Sequence, residues 1–131
     1  MKHAVGATLL AASLLVSGAS AALAAAADFS FEAKAAQVPA DKAAVVEVRL
    51  VNKLTGKPVP DAVIFQTRLD MSPDSMGEMT GAVTPLPGSE PGVYRFQVTV
   101  GMAGRWALKL AAKVPGEQET VRGDVIVTAT P

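Results

Sequence analysis

Beyond residue 28, apolar and polar residues alternate with a period of two along most of the chain. In 44–51, Ala44, Val46, Val48 and Leu50 fall on one side, with Val45, Glu47, Arg49 and Val51 opposite. Such alternation marks a half-buried strand. A looser version predicts a first strand over 29–37, with Phe29, Phe31, Ala33 and Ala35 on one side and a turn at 38–42. A third strand is predicted over 62–71. Val63, Phe65, Thr67, Leu69 and Met71 share its inward face, and Gln66, Arg68 and Asp70 the other. The fourth, 80–86, carries Gly81 and Pro85 and reads as an edge strand, because proline cannot donate to a ladder. The fifth, 93–100, turns Tyr94, Phe96, Val98 and Val100 inward. The sixth, 105–114, turns Trp106, Leu108, Leu110 and Ala112 inward, with Trp106 as the core anchor. The last, 119–128, sets Val121, Val125 and Val127 on one face.

Glycine and proline punctuate the gaps: Gly56, Pro58 and Pro60, then 87–92, 101–104 and 115–118. About seven short strands, with turn signals at intervals of about eight to twelve residues, predict an all-β, Ig-like antiparallel β-sandwich.

Composition changes the picture at the N-terminus. Met1-Lys2-His3 is a short basic start, 4–16 is apolar, and Ala22-Leu23-Ala24 fits a small-residue cleavage site. Ser13, Ser17, Gly18 and Ser20 interrupt the apolar run, which is too short for a good membrane span. Residues 1–24 therefore read as a cleaved signal peptide, with cleavage within 24–27. The domain is expected over 28–131, exported and hence periplasmic or secreted, with no stable membrane anchor after cleavage. Cleavage after Ala24 leaves 107 residues with 11 basic and 12 acidic side chains, no cysteine and no histidine. Balanced charge argues against nucleic acid. The missing His and Cys remove the usual zinc ligands, the blue-copper ligands and the commonest catalytic bases and nucleophiles. The chain is not expected to be an enzyme.

One stretch departs from ordinary usage. Asp70-Met71-Ser72-Pro73-Asp74-Ser75-Met76-Gly77-Glu78-Met79 places three methionines in ten residues that otherwise read as a turn. Methionine normally fills gaps in cores, whereas Ser, Pro, Asp and Gly favour solvent-facing turns. Connections in a sandwich alternate between its two ends. The Met-rich loop and Gly101-Met102-Ala103-Gly104 should therefore share one end, with the turn around Pro39. Met71, Met76, Met79 and Met102, all the methionines of the mature chain, would then gather there. Thioether sulfur is soft, neutral and untitrated at physiological pH, which suits Cu(I) rather than zinc or hard cations. Asp70, Asp74 and Glu78 would add charge attraction or weak Cu(II) binding. Met71 equally fits the end of the core, and Met102 a cap over Trp106. A Met-rich surface also suits docking of a protein partner, since flexible thioethers adapt to many shapes. Both readings stay open on the residues alone.

Three segments carry a family resemblance: Gly56-Lys57-Pro58-Val59-Pro60-Asp61-Ala62, Met71 through Met79, and Pro91-Gly92-Val93-Tyr94-Arg95-Phe96 running on to Met102-Ala103-Gly104-Arg105-Trp106. From about residue 28 to 128 the chain resembles the YtkA-like/FixH-like group of small exported bacterial domains. That resemblance implies a copper-linked accessory role, with Cu(I) as cargo and a periplasmic partner from an efflux or oxidase-assembly system.

Overall fold

The alternation is realised as eight strands among the described residues, 26–88 and 90–131, of the computed structural model. The signal-peptide reading of 1–24 lies outside the described residues. The strands are β1 (Phe29–Ala35), β2 (Gln37–Pro39), β3 (Ala44–Asn52), β4 (Val63–Met71), β5 (Met76–Leu86), β6 (Val93–Thr99), β7 (Gly104–Lys113) and β8 (Val121–Thr130). Their hydrogen-bonded order is β1-β3-β6-β5-β4-β7-β8-β2. The pairings are antiparallel except β2 with β8.

The expected first strand is broken at Ala36. Its first part pairs with β3, and its last residues cross to run parallel to β8. The other end of the molecule is joined by β5. Met76, Thr80 and Gly81 pair with β4, whereas 82–86 pair with β6. One layer is therefore β1-β3-β6-β5 and the other β5-β4-β7-β8-β2. The expected edge strand is found, but it serves both layers: β5 lies inside the overall strand order, 82–86 end one layer, and the half that pairs with β4 ends the other. Gly81 sits at the crossing. A Cβ there would lie 2.9 Å from both Leu69 Cδ2 and Thr99 O, so only glycine lets the strand slip between its neighbours.

Between the layers lies one core. Val46, Val48 and Leu50 of β3 and Phe96 and Val98 of β6 meet Leu69, Trp106, Leu108, Val121, Val125 and Val127 of the other sheet. Trp106 is 1% exposed and is the largest fully buried side chain. Each such side chain contributes about 1.5–3 kcal/mol by leaving water. The connection after β3 is tied down too. The Tyr94 hydroxyl donates to Val59 O at 2.7 Å and accepts from Ala62 N at 3.0 Å. Burial pushes that hydroxyl's pKa up.

The inward face expected for β4 is only half right. Leu69 and Met71 are buried, but Val63 is 62% and Phe65 50% exposed. The register against β7 shifts between Ile64 and Gln66, leaving Phe65 without an opposite residue. A one-residue shift exchanges the two faces of a strand. Before the bulge, Ile64 packs on the core instead.

Candidate functional site

The β4–β5 hairpin closes through Ser72–Asp74, a single 3₁₀ turn with Pro73 inside it. Pro73 pre-sets the φ such a turn requires. Ser75 then takes a left-handed conformation (φ 62°), and its N–H donates to Ser72 O at 3.0 Å. Met71 and Met76 become cross-strand partners directly across this turn. Asp70 is next opposed by Thr80, so Gly77, Glu78 and Met79 have no opposite residues in β4 and form a bulge. Bulges re-aim side chains. Arg68 Nη2 donates to Gly77 O at 3.0 Å and fixes the bulge.

Two aspartates anchor the hairpin. Asp70 is 1% exposed and is the buried charged residue among the described ones. Its carboxylate meets Arg68 Nε at 2.8 Å, Lys109 Nζ at 3.1 Å and the Ser72 amide at 3.0 Å. Burial works to raise its pKa. The Ser72 hydroxyl and amide, then Arg68 and Lys109, outweigh burial and hold the carboxyl well below the usual carboxylate range. Asp74 reaches across to the β6–β7 connection. It accepts from the Arg105 amide at 2.8 Å and from Arg105 Nε at 2.9 Å, and Arg105 also donates to Pro73 O at 3.0 Å. The Arg105 amide foremost, against the opposing effect of burial, and then its guanidinium lower the Asp74 pKa.

Gly104 makes that docking possible. With φ at 139°, a Cβ there would stand 2.7 Å from both Met71 Cε and Asp74 Oδ2. The Met71 methyl and the Asp74 carboxylate fill the place of the missing side chain. Across the same end, Asp41 N donates to Val100 O at 2.7 Å. The hairpin, the β6–β7 connection and the turn after β2 therefore share one end, as the alternation of connections requires.

The four methionines are distributed unevenly at this end. Met71 is 1% exposed, in the core beneath the hairpin, whereas Met76 is 38% exposed and Met79 and Met102 are each 43% exposed. Met102 does cap Trp106, but through its backbone: Trp106 Nε1 donates to Met102 O at 3.1 Å. Met71 and Met76 are joined by register, and Met71 touches the connection that carries Met102. Met79 shares the hairpin through the bulge.

Of the three carboxylates read as auxiliary to a metal, Asp70 and Asp74 are bound to cations of the fold. Glu78 is exposed. The Arg68–Asp70 pairing had a sequence signal, since residues two apart on a strand share a face. The reach of Arg105 to Asp74 had none. Among the described residues, no group of three or more His, Cys, Asp or Glu side chains is arranged to hold a metal ion.

The YtkA-like family model matches residues 23–111. The chain belongs to the YtkA-like family. Solved structures align with it at low identity. An Escherichia coli adhesin, FdeC, aligns at 16% identity and a TM-score of 0.50, covering 82% of this chain and 32% of that one. The Lin-41 filamin domain aligns at 18% identity and a TM-score of 0.46, covering 82% of this chain and 94% of that one. No curated protein matches the sequence. For this YtkA-like domain the Ig-like sandwich is read from its own strand pairings, and the chemistry rests on its own residues.

Proposed function

We propose that this YtkA-like domain is an exported, non-catalytic copper-handling accessory. Cu(I) is its cargo, held by the thioethers of Met76 and Met79, with Met102 and Met71 as further donors. The observation that carries the reading is the division of labour at the hairpin end. The two aspartates there are engaged by Arg68, Lys109 and Arg105, while three thioethers face solvent. The outer donor set is thus mainly soft and neutral, which favours Cu(I) over Cu(II), zinc or calcium. A role beside metal efflux or copper delivery to an oxidase in the periplasm follows from the family resemblance.

The exposure of Met76, Met79 and Met102 also favours a second reading, in which the same end docks a protein component of such a system without metal. A competition titration of the untagged mature domain with a Cu(I) chelator separates the two. The carrier reading expects one equivalent bound at neutral and acidic pH alike, because thioethers do not titrate there. It expects that equivalent to disappear in Met76→Leu/Met79→Leu while the fold survives. Absence of competitive binding would sink it and leave the docking surface.

A further inference from the structure

We propose that the free edge of β4, from Val63 to Arg68, receives an extended partner segment of alternating apolar and acidic residues as an added strand. This edge lies on the half of β4 remote from the methionine hairpin, and the proposal does not rest on copper.

β4 is paired with β7 from Val63 to Asp70, but with β5 only at Leu69, Asp70 and Met71. Beyond Gly81, β5 has left for β6. The side of 63–68 turned towards β5 therefore has no strand partner among the described residues. An unpaired edge offers main-chain donors and acceptors to an incoming strand. No proline lies in this stretch, and Arg68 is its one charge. Val63 and Phe65 stand exposed on it.

The two sides of the edge differ in chemistry. In the crease between β4 and the departing half of β5 are a mainly apolar hollow of about 140 Å³ touching Ile64, Pro85, Leu86, Tyr94, Arg95 and Phe96, and a more polar one of about 310 Å³ touching Thr67, Arg68, Leu69 and Thr80. On the outer face is a hollow of about 260 Å³ lined by Gln66, Arg68, Lys109, Ala111, Arg122 and Asp124. Lys113 stands beside it, 5.9 Å from the centre of the Phe65 ring. Four cations (Arg68, Lys109, Lys113, Arg122) face two carboxylates (Asp70, Asp124), a local net charge of +2 on a chain whose formal charge is zero.

Side chains of an added strand alternate between the two faces. One set would cover the apolar hollow at Ile64, Leu86 and Phe96 and the other would meet the cations, so apolar and acidic residues in alternation complement the edge. A second copy fits less well: β4 brings only Arg68, another cation, to the same surface.

The probe is a soluble peptide of alternating valine and glutamate, about eight residues long to match an ordinary strand. It is titrated into the isotope-labelled mature domain and followed by amide shifts and hydrogen exchange. Saturable binding with perturbation and protection at residues 63–68 is expected, weakening with salt. Lys113→Glu/Arg122→Glu should lower affinity roughly tenfold or more while leaving the melting curve unchanged. A valine–lysine peptide should not bind, and Met76→Leu/Met79→Leu should bind the acidic peptide as the native chain does. Absence of binding, perturbations mapping to β1 or to the hairpin end, or affinity undiminished by the charge reversals would each overturn the proposal. Peptide-free dimerisation through residues 63–68 would overturn it as well and give the edge to a second copy.

Discussion

The two halves of β4 are built on one strand and obey different rules. At Leu69, Asp70 and Met71 burial is continuous, because β5 and β7 flank the strand on both sides and the hairpin closes over its end. From Val63 to Arg68 only β7 pairs with it among the described residues, and Val63, Phe65 and Arg68 reach solvent. A strand's neighbours thus decide whether its polar face is wet or must be neutralised from within. The buried half solves that problem with an ion-paired aspartate. The open half leaves its edge available.

The severest test of the buried half is Gly104→Val. Its side chain would occupy the space of the Met71 methyl and the Asp74 carboxylate and would strain a left-handed backbone. We expect a loss of about 3 kcal/mol or more by chemical denaturation. A variant within about 0.5 kcal/mol of wild type would show that the docking is not tight. Leu69→Ala and Phe65→Ala contrast the halves directly. The first should cost about 3 kcal/mol, and the second less than about 1 kcal/mol. Equal costs would mean that the bulge does not separate the faces.

Asp70→Asn sharpens the electrostatic side of the contrast. It should cost about 2 kcal/mol at neutral pH, since Arg68 and Lys109 lose their buried partner. The folded pKa of Asp70 lies below the unfolded carboxylate's, near about 3.9, so the unfolded chain takes up the proton first as pH falls. The stability it contributes is complete above that value and declines below it. The variant should therefore flatten part of the acid limb in pH-dependent melts. Asp74 and Glu90, whose pKa values are lowered too, would keep the rest of the slope. An unchanged acid limb would contradict the ion-pair assignment. The smallest effect is expected beyond the buried half: Met76→Leu/Met79→Leu should stay within about 0.5 kcal/mol of wild type, because both side chains are partly solvated. A larger loss would place them in the core.

The sandwich was legible because period-two alternation and turn residues carry it, and β3, β6, β7 and β8 follow it closely. The end at which the methionines gather was legible from connection parity. The exchange of faces at Phe65 was not, because a bulge depends on the partner strand's register. The passage of β5 between layers was visible only as Gly81 and Pro85, which signal an edge without saying of which sheet. In the site, the residue types were readable but their states were not. Met71 and Met76 look alike in sequence, and burial by the β6–β7 connection separates them. Asp74 was legible as a turn residue, and its hold on Arg105, across two strands, was not.

The short pairing of β2 with β8 carries a mechanical consequence. Gln37, Val38 and Pro39 run parallel to Thr128, Ala129 and Thr130, extended by Thr128 N to Ala36 O and Ala40 N to Thr130 O. A pull applied before Gln37 and after Thr130 slides these strands along their length, loading every bond at once rather than peeling them singly. Tension that enters between β1 and β2 and leaves after β8 would therefore meet a shear clamp rather than an edge that peels.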